Sequence, residues 1–166
     1  HPGTLAAARR RTMHTGIRVL GADGRDLPFE TGRFDLATLS MTLHHMDGLD
    51  QVAILKELGR VARGGRVVVG ELERSVPHYV GAKILAATVW RSNTVNRHDG
   101  PLSVRRGFTP AELESLALRA GRSAPRVRRH LLYMIVLLSD ALGSLAAGAD
   151  ATVEKWMATV TGTFRA

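Results

Sequence analysis

Cysteine is absent from the 166 residues of this sequence. Its absence excludes a disulfide framework, a cysteine nucleophile and any zinc site built on thiolates. It fits a reducing compartment, and we expect a cytoplasmic protein. Aromatic residues are also scarce, at 5%, which leaves few ring faces for stacking on the bases of a nucleic acid.

Lysine is almost absent as well, since 20 of the 23 basic residues are arginines and the formal net charge is +8. A strongly basic chain invites a nucleic-acid-binding interpretation. Here, however, the arginines are scattered over several segments, and a GC-rich coding sequence enriches arginine in any protein. We therefore favour a solvated basic surface over a nucleic-acid interface.

No uninterrupted apolar run is long enough to span a membrane, which takes about 20 residues. Residues 131–149 come nearest, but Asp140, Gly143 and Gly148 interrupt them. The N-terminal residues lack the apolar core of a secretory signal. The chain length and the apolar fraction of 45% instead fit one globular domain with a hydrophobic core.

Helical and extended apolar segments alternate along the chain. Residues 34–39 are largely apolar, as strands buried on both faces of a parallel sheet are, and residues 66–71, with their Val67–Val69 run, are predicted as another buried strand. Between them, residues 49–63 carry apolar side chains at helical spacing, and Gly64–Gly65 ends that helix. Strand, helix, glycine turn and strand form a βαβ unit, which closes onto a parallel sheet.

Further elements flank this unit. The helix predicted near the C-terminal third begins with a capping box, in which Thr109 and Glu112 stand three residues apart. The remaining predicted elements are helices over residues 4–13, 109–120 and 150–164 and strands over residues 17–21 and 126–138.

The segment 74–107 breaks the alternation. Its first part can form one helix after Pro77, and residues 94–107 have the composition of a polar loop. Long connections within compact domains are usually functional. We therefore expect this segment to be a lid over a substrate rather than part of the sheet.

Three blocks of the sequence resemble class I S-adenosylmethionine-dependent methyltransferases of the small-molecule type, including those of quinone biosynthesis. They are GADGRDLPFETGRFDLATLSMTLHH (21–45), LKELGRVARGGRVVVGEL (55–72) and GFTPAELESLALRAG (107–121). The blocks stand in the family's order and at matching separations. The resemblance implies an α/β fold with the family's Rossmann-like sheet.

The resemblance also implies S-adenosylmethionine as the cofactor, with Asp23 and Gly24 at its adenine and Ser40 beside its methionine portion. The residues themselves are compatible with these roles, because ligands of doubly wound sheets bind at the carboxyl ends of the strands. A carboxylate there can accept a hydrogen bond from an exocyclic amine. The alternative is that Asp23 only caps a turn and Ser40 only ends a strand.

Two adjacent histidines, His44 and His45, follow the second predicted strand. Neighbouring residues diverge on a helix or turn, so they make a poor two-ligand metal site, and we predict no metal. An imidazole here could act as a general base toward a hydroxyl, and His45 is the candidate. For catalysis, the favoured alternative is that one histidine packs beside the cofactor and the other is solvated.

Two features of the family are missing from this sequence, namely the glycine-rich turn after its first strand and the acidic residue that ends its second. We therefore expect residues 1–166 to form a single partial methyltransferase domain without the first βαβ portion of the sheet, with residues 139–166 as a C-terminal extension. Such a sheet has a free edge through which the chain could self-associate. Methyl transfer to a small organic acceptor would then be impaired. The alternative is a non-catalytic fragment or pseudoenzyme that acts by binding a partner.

Overall fold

The computed structural model describes residues 2–130 and 134–140 of the chain. The helices are α1 (Pro2–Thr12), α2 (Gly48–Val61), α3 (Val76–Ala87), α4 (Thr94–Arg106) and α5 (Pro110–Arg119). The strands are β1 (Leu36–Ser40), β2 (Arg66–Leu72), β3 (Arg126–His130) and β4 (Met134–Asp140), and a short 3-10 helix covers Leu43–His45. The helix predicted over residues 150–164 and most of the predicted C-terminal extension lie outside the described residues.

The strands form one sheet in the order β1-β2-β4-β3. β1 runs parallel to β2, with Leu36 opposite Arg66 and Ser40 opposite Gly70. β4 lies antiparallel between β2 and β3. The predicted α/β fold is therefore confirmed, including the βαβ unit of β1, α2 and β2.

Helix α2 forms where the apolar periodicity predicts it. Its side-chain cap is Asp47, which accepts hydrogen bonds from the backbone nitrogens of Leu49 (3.1 Å) and Asp50 (3.0 Å). One face of the helix is buried in the core together with β1, β2 and α5, and burying each of its large apolar side chains stabilises the fold by about 1.5–3 kcal/mol. The buried apolar residues of this face are Ile54, Leu55, Leu58 and Val61.

Residues 17–21 do not form the predicted strand. They are irregular backbone, and the side chains of Ile17 and Leu20 are exposed. A strand needs a hydrogen-bonded neighbour, and within the described residues β1 pairs with β2 alone. An apolar run of β-branched residues is therefore not sufficient to make a strand here.

Residues 94–106 form helix α4 rather than the predicted polar loop. The side chain of Asn93 accepts a hydrogen bond from the backbone nitrogen of Asn96 (3.1 Å) and so caps the helix. α4 packs against α3, and Gly100 lies so close to Trp90 that an added Cβ would be 2.5 Å from its ring. This packing stabilises the helix despite its polar composition and its internal proline, Pro101.

The segment 74–107 therefore holds two helices and no strand, and its role as a lid stays a prediction. None of the helices in the described residues is both long and apolar enough to cross a bilayer.

An ion-paired clasp of Leu27, Phe29, Glu57 and Arg60 ties the Leu-Pro-Phe turn to α2. Arg60 donates to the carbonyl oxygens of Phe29 (2.7 Å) and Leu27 (3.0 Å) and to the Glu57 carboxylate (2.6 Å). Glu57 in turn accepts a hydrogen bond from the backbone nitrogen of Leu27 (2.8 Å). The hydrogen bonds from Arg60 outweigh burial and lower the pKa of Glu57 below its ordinary value of 4.5.

The lowered pKa makes the clasp a pH-dependent source of stability. A carboxyl whose pKa is lower in the folded than in the unfolded protein stabilises the fold fully above its unfolded value, and this contribution is lost as the pH falls through the folded value. We expect the free energy of unfolding to fall more steeply for wild type than for Glu57→Gln between about pH 5 and pH 3. Urea unfolding across this pH range measures the free energy of unfolding. As a control, replacing the exposed Glu114 by glutamine (Glu114→Gln) should leave the change of this free energy with pH as in wild type. Identical slopes for Glu57→Gln and wild type would contradict the role of the clasp.

Candidate functional site

The candidate site lies at the carboxyl edge of the parallel pair, where β1 ends at Ser40 and β2 ends at Leu72. Ligands of α/β sheets bind in the crevice outside this edge. Ser40 is partly buried and faces Gly70 across the ladder. The structure thus puts Ser40 at the strand end, where the sequence predicts it.

Met41, the residue after β1, has a strained backbone. Its φ of 52° lies in the left-handed region, which a bulky side chain seldom adopts. Its backbone nitrogen donates to the Gly70 carbonyl oxygen at 2.9 Å, so the ladder extends one residue past the strand before the chain turns. Strain of this kind costs about 1–3 kcal/mol and persists only where the surroundings hold it, commonly at functional sites. No glycine or asparagine in the sequence signals this turn.

Glu71 is the residue that holds the turn in place. Its carboxylate is fully buried, and Oε1 accepts hydrogen bonds from the backbone nitrogens of Thr42 (2.8 Å) and Leu43 (2.6 Å). Oε2 is hydrogen-bonded to Nδ1 of the buried His44 at 2.7 Å. Sequence reasoning missed this residue, although a carboxylate within an otherwise apolar strand is a signal, because buried carboxylates require partners.

The two histidines differ sharply in environment. His44 is buried against Glu71, whereas His45 is exposed. Their ring centroids lie 4.0 Å apart and the ring planes are tilted by 43°, so the two rings lie close together and the expected divergence is wrong. His45 is thus the residue that is open to a substrate, and its catalytic role stays a prediction. Among the described residues, no group of three or more His, Asp or Glu side chains could hold a metal ion.

Asp23 and Gly24 lie in a turn that Arg25 closes. The backbone nitrogen of Arg25 donates to Asp23 Oδ1 (2.9 Å), and its guanidinium donates to Oδ2 (2.7 Å). The same guanidinium reaches Asp50 at the start of α2 (2.9 Å). The side-chain hydrogen bonds from Arg25 lower the pKa of Asp23 to about 2. Asp23 therefore caps its own turn, but half of its side chain remains exposed.

Gly24 has an ordinary backbone conformation within this turn. A Cβ added to it would make a normal contact, 3.6 Å from the Ile54 side chain. The packing of the described residues does not by itself require glycine here. The expected close approach of Gly24 to an adenine ring stays a prediction.

Comparisons with known proteins bear on this site. Residues 1–69 match a family model described as a methyltransferase domain. The chain is 37% identical over 75 residues to a demethylmenaquinone methyltransferase of Corynebacterium kroppenstedtii, which is 45% of this chain and 30% of that protein. It is 39% identical over 75 residues to the enzyme of the same name from Staphylococcus saprophyticus, again 30% of that protein. The chain thus matches about a third of the length of these relatives.

Solved structures extend the likeness beyond the N-terminal match. A S-adenosylmethionine-dependent methyltransferase from Aquifex aeolicus superimposes with a TM-score of 0.59 at 15% identity, over 82% of this chain and 61% of that one. The neocarzinostatin-biosynthesis O-methyltransferase, solved with S-adenosylmethionine and a hydroxymethylnaphthoic acid, gives a TM-score of 0.55 at 29% identity, over 84% of this chain and 39% of that one. The predicted resemblance to class I S-adenosylmethionine-dependent methyltransferases is confirmed.

The match to the methyltransferase domain includes every predicted site residue of this chain. Asp23, Gly24, Ser40 and His45 all lie within residues 1–69. Glu71 lies two residues beyond the match. The Rossmann-like sheet expected from the resemblance is present in the described residues, as β1 and β2 with the antiparallel β4 and β3 beside them.

Proposed function

We propose that the protein transfers a methyl group from S-adenosylmethionine to a small organic acceptor. The observation that carries this proposal is the match of residues 1–69 to a methyltransferase domain. The neighbour solved with S-adenosylmethionine and a naphthoic acid supports both the cofactor and an acceptor of small size.

In this proposal, Asp23 accepts a hydrogen bond from the adenine amine, Gly24 lies against the ring, and Ser40 lies by the methionine portion. Two properties of Asp23 support its role. Its pKa of about 2 keeps it ionised and therefore an acceptor at neutral pH, and it is half exposed. Arg25 holds the carboxylate in one orientation, which reduces the entropy lost when a ligand binds.

The reaction requires little chemistry from the protein. Bound S-adenosylmethionine supplies a methyl group activated on a sulfonium, so the residues of the chain have to align the acceptor and exclude water. A hydroxyl acceptor must also lose its proton, and we propose exposed His45 as the base. The lid formed by α3 and α4 would exclude water from the acceptor.

Cofactor binding tests the proposal. We expect Asp23→Ala to raise the dissociation constant of S-adenosylmethionine about tenfold or more, because a hydrogen bond to a charged group contributes about 1.5–3 kcal/mol. Isothermal titration calorimetry measures the change. Asp26→Ala removes a carboxylate of the same turn and should leave binding close to wild type, as should His45→Gln.

Equal weakening by Asp23→Ala and Asp26→Ala would show that charge in the turn, rather than contact with adenine, controls binding. A wild-type protein that binds no S-adenosylmethionine would overturn the proposed function. That outcome would favour the alternative of a non-catalytic protein that binds a partner.

A further inference from the structure

A cavity of about 490 Å³ lies on the α5 side of the sheet, close to the carboxyl edge. It is bordered by the start of α2, the residues after β2, the end of α4, and α5. Its volume falls within the range of about 300–1,000 Å³ that is usual for small-molecule sites. Asp23, Gly24, Ser40 and His45 do not line it, so it is separate from the predicted cofactor contacts.

Three arginines from three separate segments line this cavity, which we call the arginine cavity. Arg74 follows β2, Arg106 ends α4, and Arg119 ends α5. The lining includes one carboxylate, Glu112, which is paired with Arg74. The lining therefore carries an excess of two positive charges.

Arg106 and Arg119 form no ion pair with any residue that the structure describes. Basic residues are common in the last turn of a helix, where they interact favourably with the helix dipole. The dipole effect does not explain why Arg106 lines the cavity, because Arg105 lies in the same last turn of α4 and does not line it.

The other lining residues suit a small molecule with an apolar part. Phe108 and Leu116 are buried and form an apolar wall, and Gln51 and Ser115 add neutral polar groups. Gln51 also donates to the carbonyl oxygens of Leu43 and Met46, both at 3.0 Å. Gln51 therefore links the wall of the cavity to the turn that carries His44 and His45, although no residue of that turn lines the cavity.

We propose that the arginine cavity binds a small molecule bearing a doubly charged oxyanion, either a phosphate or a pair of carboxylates. The guanidinium fork matches the oxygens of both groups and can bind them bidentately. A doubly charged group balances the excess charge of the lining, whereas a monoanion such as chloride leaves it half neutralised. The site is independent of the proposed methyl transfer.

The test is anion binding to the full chain at constant ionic strength. We expect inorganic phosphate or malonate to bind saturably, and chloride not to bind, in isothermal titration calorimetry. Arg106→Gln and Arg119→Gln should each weaken binding about tenfold, since each removes one charge-assisted contact. Arg105→Gln, the matched control on the same turn, should bind like wild type. All three positions are exposed, and thermal unfolding of each variant without ligand verifies that it folds.

The two anions distinguish the source of the charge, because preference for phosphate indicates a phosphorylated ligand and preference for malonate a dicarboxylic one. Either preference supports the site. An equal loss in Arg105→Gln would overturn the proposal, since it would indicate a general effect of net charge. Absence of saturable binding by both anions would overturn it as well.

Discussion

Replacing Glu71 by alanine should lower the free energy of unfolding by about 3–5 kcal/mol, the cost usually seen when one partner of a buried pair is removed. The carboxylate is fully buried and receives hydrogen bonds from the backbone nitrogens of Thr42 and Leu43 and from His44. Alanine leaves these groups without this partner, two of them on the buried Leu43 and His44 and one on the partly buried Thr42, and each buried unsatisfied donor costs about 1–3 kcal/mol. Urea unfolding followed by circular dichroism measures the loss.

Two further variants, Glu71→Gln and Glu114→Ala, serve as controls for the loss of stability in Glu71→Ala. Glu71→Gln keeps an amide oxygen for the backbone nitrogens and should lose clearly less than Glu71→Ala. Glu114→Ala removes an exposed carboxylate and should stay within about 0.5 kcal/mol of wild type. A loss below about 1 kcal/mol in Glu71→Ala would mean that water or another group replaces the carboxylate.

Gly65→Ala should have the next largest effect, a loss of about 3 kcal/mol from overpacking. A Cβ at this position would lie 2.4 Å from the Asp35 carbonyl oxygen and 2.6 Å from its carbonyl carbon. These are backbone atoms, and the same oxygen accepts a hydrogen bond from the backbone nitrogen of Arg66 at 2.8 Å. The methyl group would therefore force β1 and β2 apart where their pairing begins.

Gly64→Ala is the matched control, one residue earlier in the same turn. Gly64 has a φ of +87°, but a Cβ there would meet nothing within 4 Å. Its replacement should cost only about 1–2 kcal/mol, the strain of a side chain in the left-handed region. The same urea unfolding experiment compares the two. If Gly64→Ala proves the more damaging variant, backbone conformation rather than strand contact dominates this turn.

The parts of the fold that could be predicted from the sequence are those that local periodicity determines. Helix α2 and strands β1 and β2 lie within two residues of their predicted bounds, because buried faces impose a regular spacing of apolar residues. Residues 17–21 and α4 were predicted wrongly. A strand depends on a pairing partner and α4 depends on its packing against α3, and neither contact is local in sequence.

The candidate site could be predicted only in part. The resemblance predicts Asp23, Gly24, Ser40 and His45 as site residues, because the positions of the family's motifs can be located in the sequence alone. The link between Glu71 and His44 joins positions 27 residues apart and becomes evident only when β1 and β2 pair. The positive φ of Met41 is likewise not indicated by its residue type, because methionine seldom adopts this conformation.

The insertion of β4 between β2 and β3 has a consequence for synthesis on the ribosome. One edge of β2 is covered by β1, which precedes it, and the other by β4, which begins 62 residues after β2 ends. At about 5–20 residues per second, translation takes roughly 3–12 seconds to reach that point. Throughout this interval the nascent chain carries the Val67–Val68–Val69 run on a strand with one side unpaired. Chaperones that bind extended apolar segments therefore have time to reach this strand before its last partner is made.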